Sequence, residues 1–441
     1  MADGNGKPLA VLFSGTSGLK KAALLQRFQA YLRYHASEFF PSVDKARPAD
    51  ELFPILELPL YRWTPHVPPG ALYSEIDTVL ALGRRPFEAA LARRPACILL
   101  HTHMTYFNRG QYVSWLNASP MQNILPYFDS VNLRHVVVLI DNIFDVRSKI
   151  DPDFSLTLKD LLNWRDVEVL VSDVFSRGLT SVQKNSTVYS VRHSMWNLAN
   201  LIFTEKPKLY LSYSISEIRR LQNSEDEKKR EAGSNFLKQN IEFRHFMERD
   251  FITFDPAAID EMPLLLKHNE WTRDGKAVPE FVQLHRSELW PVAEPRNCLA
   301  DPRDKITDIP FSEVREICGT DNPEARSIVE KQMRIRDYRL IDQADGLLAY
   351  RPSISENKSR MAQGCDEEIG YVAQGAQKAR RPFYIIKDEA DARLSAGALG
   401  REYIPGDFHE WRDLDNANTR ANAFEQAAKM ISEKIERYQS R

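Results

Sequence analysis

Short apolar runs recur along the chain, separated by amphipathic stretches, and that alternation predicts strands alternating with helices. In the first half the runs are Leu9–Phe13 (LAVLF), Ala96–Leu100 (ACILL), His135–Ile140 (HVVVLI) and Val167–Val171 (VEVLV). Runs this short and apolar suit parallel strands buried on both faces. The pattern resets around Phe203–Lys208 (FTEKPK), where a charged stretch with Pro207 suits a domain boundary. A fresh strand at Leu209–Tyr213, a long charged helical run and a second strand at Phe251–Phe254 follow. Two later runs, Gly346–Tyr350 and Phe383–Ile386, flank a polar loop and a helix that opens near Gly364 with Asp366, Glu367 and Glu368. In the final segment Ala423, Phe424, Ala427, Ile431 and Ile435 fall at helical spacing, which predicts an amphipathic helix packed on a core.

Residues 262–330 interrupt the alternation. They hold Pro263, Pro279, Pro291, Pro295, Pro302, Pro310 and Pro323, with Trp271, Phe281 and Trp290 spread among them. A long irregular stretch with aromatics reads as an insertion on the second domain, a lid or interface arm. The chain of 441 residues thus divides into 1–205 and 206–441. Each is expected to be an α/β domain built on a doubly wound parallel sheet.

Composition narrows the function classes. With 43% hydrophobic and 27% charged residues the chain is globular, and a net charge of −2 supplies no basic field for nucleic acid or an anionic membrane. No stretch approaches about 18 consecutive apolar residues, and the first residues lack a basic region before an apolar one, so a cytoplasmic, membrane-free protein is expected. Cys97, Cys298, Cys318 and Cys365 show no CxxC pair and no Cys/His metal spacing. Reduced thiols and no metal centre are the expectation.

Candidate chemistry lies in two places. In the first half, Ser14-Gly15-Thr16-Ser17-Gly18-Leu19-Lys20-Lys21-Ala22 joins a strand to a helix, the context a phosphate-binding loop requires. It resembles the GTPGVGKS form of the P-loop in nucleotide kinases, with Gly15, Gly18 and Lys21 on matching positions. Lys20 replaces the glycine before the lysine, and Ala22 replaces the Ser/Thr whose hydroxyl holds Mg²⁺. The resemblance implies an ATP-like nucleotide ligand, and the two departures argue against phosphoryl transfer. Asp141, at the end of its strand, stands where such proteins keep a Mg²⁺-associated acid. His101, His103, Arg147 and Arg192 are further groups able to approach a phosphate.

In the second half, acids gather at strand ends and at a helix start, where open α/β sheets place ligands. KLYLSYSI, FITFDP, DYRLIDQADGLLAYRP and GCDEEIGYVAQGAQKARRPFYII occur in that order. Together they resemble the nucleoside 2-deoxyribosyltransferase family, whose signature is roughly Gly-x-x-x-Glu-[Leu/Ile/Met]-Gly-Tyr-Ala. Gly364, Glu368, Ile369, Gly370 and Tyr371 fall on it. The resemblance implies a flavodoxin-like fold for this half and N-glycosidic bond cleavage in a nucleoside, nucleotide or NAD-like substrate, without a required cofactor. Glu368 would be the nucleophile or stabiliser and Asp345 its carboxylic acid partner, two carboxylates dividing the work as in other glycosidic chemistry.

Tyr210, Ser212, Tyr213, Gly364, Asp366 and Tyr371 would contact base or sugar. Ser355 and Ser359, with Arg351 and Arg360, could hold a 5′-phosphate. An Asp frequent in the transferases two residues before the signature glycine is Ala362 here, which favours hydrolysis over base transfer. The family also implies a homo-oligomer. Joining the two halves suggests a regulated stress or antiviral-defence effector. The alternatives are a P-loop nucleotide kinase and a non-catalytic nucleotide sensor.

Overall fold

A computed structural model of the chain describes residues 7–44, 46–58, 84–108, 111–114, 128–150, 156–179, 186–273, 279–284, 298–299, 307–319, 328–352, 363–374, 381–388 and 408–440. Two compact units emerge. One comprises Met1–Thr204, Ile259–Ser287 and Glu294–Met333; the other comprises Glu205–Ala258, Glu288–Ala293 and Arg334–Arg441. Both are mixed α/β units built on all-parallel sheets.

In the first unit, β1 (Leu9–Ser14) is buried at every position, as a central parallel strand covered on both faces must be. It pairs with β3 (Cys97–His101) and β6 (Asn132–Ile140); β2 (Ile55–Glu57) and β7 (Thr187–Ser190) form the edges, in the order β2-β3-β1-β6-β7. A hairpin, β4 (Thr105–Asn108) with β5 (Gln111–Ser114), follows β3. Helix α1 (Lys21–Tyr34) starts directly after the loop that leaves β1 and buries Leu24, Leu25, Phe28 and Leu32 along one face. Helix α2 (Leu158–Gly178) opens with a capping box at Thr157 and Asp160.

Two expectations change here. Val167–Val171 is not a strand but lies inside α2. Val167, Val169 and Val171 are only partly buried and Leu170 is exposed, while the polar Glu168 is buried. The strand of this region is instead β7, a four-residue TVYS too short and too polar to stand out. The insertion also differs from expectation, because Ile259–Ser287 and Glu294–Met333 belong to the first unit. Buried polar links hold them there. Glu261 bridges Arg165 at 2.6 Å and accepts Ile143 N–H at 3.1 Å, Asp260 N–H donates to Asn142 Oδ1 at 2.7 Å, and Glu313 accepts Leu158 N–H at 3.0 Å.

The second unit opens with β8 (Lys208–Tyr213), helix α3 (Glu227–Met247) and β9 (Ile252–Phe254). After the insertion, whose antiparallel pair β10 (Phe281–Leu284) and β11 (Thr307–Pro310) belongs to the first unit, the chain continues through helix α4 (Ile328–Asp342). Then come β12 (Gly346–Arg351), helix α5 (Gln363–Gln374), β13 (Phe383–Asp388), β14 (Phe408–Trp411) and helix α6 (Ala417–Gln439). The strand order is β14-β13-β12-β8-β9. The chain therefore steps from β8 to one side for β9, then to the other side for β12, β13 and β14, and its direction of travel reverses between β8 and β12.

Side chains alternate across this sheet. Leu209, Leu211, Tyr213, Leu348, Tyr350, Tyr384 and Ile386 share one core with Phe243 of α3 and Phe424, Ile431 and Ile435 of α6. Each such fully buried side chain contributes roughly 1.5–3 kcal/mol. Tyr210, Ser212, Ala349, Arg351, Ile385 and Lys387 alternate with those residues, and α5 supplies partners to Tyr210, Ser212 and Arg351. Among the described residues no helix is long and apolar enough to cross a membrane.

Candidate functional site

Glu368 sits in the first half of α5, and two hydroxyls of β8 hold its carboxyl group. Tyr210 donates to Oε1 at 2.8 Å and Ser212 to Oε2 at 2.5 Å. Ser212 Oγ also lies 2.9 Å from Cys365 Sγ, one turn earlier in α5, and burial pushes that thiol up to about 12. The period of two along β8 explains the convergence, since residues 210 and 212 share a face whereas 211 and 213 do not. The cluster thus stands on β8, beside β12, where the strand order reverses. Open parallel sheets bind ligands at such points.

Electrostatics set the proton on Glu368. Burial raises its pKa from 4.5 to about 8, and the charge of Asp337 on α4 adds to that; hydrogen bonds from Ser212 and Tyr210 and the charge of Arg336 act the other way. Asp337 is itself bonded by Arg336, at 3.0 Å from Nε and 2.8 Å from Nη2. The neighbours within the acidic triplet are engaged elsewhere. Asp366 pairs with Arg351, and Glu367 lies 3.4 Å from Arg334. At neutral pH the Glu368 carboxyl therefore holds a proton.

The structure brings Tyr210, Ser212 and Glu368 together and leaves the other expected residues apart. Asp345 is not beside Glu368. Its carboxylate accepts Lys208 N–H at 2.8 Å and its own N–H donates to Lys208 O, so it secures the start of β12 against the start of β8. Ser212 is four residues further along, roughly 13 Å at about 3.3 Å per residue. Tyr213 points to the opposite face, bonded to Asp255 at 2.6 Å and to Arg244 at 3.0 Å.

Tyr371 stacks on Tyr338, with centroids 4.2 Å apart, and donates to Asp342 at 3.0 Å. Gly364 is exposed, and a Cβ there would meet nothing within 4 Å, so no close backbone approach demands glycine. Ser355, Ser359, Arg360 and Ala362 lie outside the described residues. Sequence reasoning missed Asp337. Its signal was a charged residue three and four positions before Leu340 and Ile341, on the face of α4 that those residues bury.

The loop of the first unit has its groups engaged internally. Gly15 N–H, at the first loop position, donates to Glu168 of α2 at 3.0 Å. The same carboxylate accepts Met104 N–H at 2.8 Å, Thr105 N–H at 2.8 Å and Thr105 Oγ1 at 2.6 Å. Lys21 is buried with Nζ on Gly15 O and 2.8 Å from His103 Nδ1. Burial lowers the Lys21 pKa to about 7 against the pull of Glu168 and Glu57.

His101, at the end of β3, falls to about 4, through burial and then the charge of Lys21. Gly15 (φ +142°) and Gly18 are demanded by packing: a Cβ would come within 2.6 Å of Leu139 O at the first and 2.5 Å of Val146 O at the second. Lys20 adopts the left-handed conformation, φ 50° and ψ 50°. Asp141 accepts from Arg192 Nε at 2.7 Å with Lys149 3.8 Å away; burial opposes its ionisation, but these cations outweigh it and hold the carboxyl below its ordinary range. Arg147 lies 3.5 Å from Glu313.

Among the described residues no group of three or more His, Cys, Asp or Glu is arranged to hold a metal ion. Neither a protein-family model nor a curated protein matches this chain.

Proposed function

We propose that the second unit cleaves the N-glycosidic bond of a nucleoside or nucleotide, with Glu368 as the reacting carboxyl group and Asp337, not Asp345, as the acid beside it. The observation that carries this reading is the hydroxyl-held Glu368, its pKa raised to about 8 by burial and by Asp337, at the reversal point of a parallel sheet. The strand order, numbered within the unit as 2-1-3-4-5, is the flavodoxin-like one, which agrees with the expected deoxyribosyltransferase-like fold.

In this mechanism the bond between the sugar C1′ and the base nitrogen breaks, its electron pair goes to the base, and the proton of Glu368 follows it. The carboxylate left behind faces an oxocarbenium-like sugar, which it stabilises or captures. Water then adds at C1′ and its proton returns to Glu368; burial, with like-charge repulsion from Asp337 added to it, keeps that proton on Glu368. Tyr210 and Ser212 fix both carboxyl oxygens in place.

The first unit we read as a support without phosphoryl transfer, because Glu168 engages the loop donor, Lys21 is turned onto the loop and Arg192 occupies Asp141. The test is incubation of the full chain with nucleosides, nucleotides and NAD, with free base separated by chromatography. Glu368→Gln is expected to lower release by about 10²-fold or more. Undiminished release in that variant would sink the reading.

A further inference from the structure

Two cations lie next to each other just beyond the Glu368 cluster. Arg351 ends β12, Lys387 is the penultimate residue of β13, and the two are register partners on adjacent parallel strands. They are 0% and 3% exposed. Their face follows from the register. Ser212 pairs with Ala349, and Arg351 is two residues on, so it points to the same side as Ser212 one pleat further towards the C-terminal edge. That step is about 6.6 Å, at about 3.3 Å per residue. Paired strands bring the two backbones to about 4.8 Å, and burying cations on both is costly unless anions face them. Asp366, in the first turn of α5, pairs with Arg351. The start of α5 adds its own partial positive charge to the same corner.

We infer that Arg351 and Lys387 form an anion subsite that takes a phosphate carried on the sugar, so that the substrate is a nucleotide, not a nucleoside. For its catalytic role the subsite rests on the glycosidic reading of Glu368, but phosphate binding does not. The geometry suits a substrate whose C1′ stands at Glu368 and Ser212 while its 5′-phosphate reaches the strand ends, since the pentose spans one pleat. A guanidinium offers two parallel donors to phosphate oxygens and the ammonium adds a point charge. The same chemistry serves the terminal phosphate of a mononucleotide and the diphosphate of a dinucleotide.

Calorimetric titration of the full chain with ribose 5-phosphate and with ribose tests binding without turnover. Ribose 5-phosphate is expected to bind roughly tenfold or more tightly than ribose. Lys387→Met should remove that preference and Lys387→Arg keep it. If Lys387→Met fails to fold, displacement of ribose 5-phosphate by inorganic phosphate from the wild-type protein, with Lys387→Arg as the second variant, decides instead. Equal binding of the two sugars overturns the subsite, as does a folded Lys387→Met protein that retains the preference.

Base release from a nucleoside, its 5′-monophosphate and NAD then distinguishes the sources. Faster cleavage of the monophosphate assigns the subsite to a terminal phosphate, and faster cleavage of NAD to a diphosphate. Phosphate binding without release from any substrate leaves the subsite standing and removes the glycosidic reading. Release indifferent to phosphate does the reverse.

Discussion

Burial and Asp337 act in the same direction on Glu368, so the titration of this one carboxyl reports on both. If the protonated form starts the reaction, kcat/KM stays level through neutral pH and falls as pH rises through about 8. Asp337→Asn removes the lesser of the two causes, so the falling limb should move part of the way to lower pH; a pH–rate profile checks this, and a limb left in place means that Asp337 does not act on the titrating group. Stability follows with a definite sign. Between the ordinary value of 4.5 and about 8 the folded chain keeps a proton that the unfolded chain has lost, so Glu368 costs stability progressively across that window. Glu368→Gln should therefore be more stable than the wild type above about pH 8, by several kcal/mol and at most about 5, with no gain below about pH 4. Denaturant unfolding at both pH values measures it. Glu368 itself was legible because three acids opening a helix between two strands form a local pattern. Its partner was not. Asp345 precedes β12 and is bonded to the start of β8, whereas the charge that acts on Glu368 is that of Asp337 on a different helix.

The loop between β1 and α1 shows what can be read from an element and what needs its neighbours. The order strand, glycine-bearing turn, helix was visible as spacing, and so was the awkward Lys20. The carboxylate that engages the loop was hidden, because Glu168 lies in a run whose Val and Leu residues read as a strand. Within a helix the same residues put Glu168 on a buried face, and the surrounding capping box and length of α2 outweigh β-propensity. Lys20 supplies a prediction at this scale. A residue with a Cβ at φ 50° and ψ 50° carries left-handed strain, and Lys20 is exposed, so its side chain gives little back. Lys20→Gly relieves that strain while increasing the freedom of the unfolded chain. The net expectation is a gain of about 0.5–1 kcal/mol, read as a raised thermal midpoint.

At the scale of the molecule, the alternation of apolar runs carried the α/β class of both units, because period and run length are local properties. Which core the stretch from Ile259 to Met333 joins is not local, and chain order pointed to the wrong unit. Buried polar links tie it to the first unit, among them those of Glu261. Its carboxylate meets Arg165 of α2, with side chains 0% and 7% exposed, and also accepts Ile143 N–H. A buried pair of this kind resists the loss of one member far more than the replacement of both, since a lone buried charge has no water to stabilise it. Glu261→Leu alone is expected to destabilise the first unit by roughly 3–5 kcal/mol, and Arg165→Met alone by a similar amount. The double variant should recover most of that loss, short of the roughly 1–3 kcal/mol for the abandoned Ile143 N–H. Denaturant unfolding of all four proteins closes the cycle. Losses that simply add in the double variant would mean that the two side chains act separately, and that the stretch is held by its apolar contacts, such as those of Val314 and Ile317, instead of by this pair.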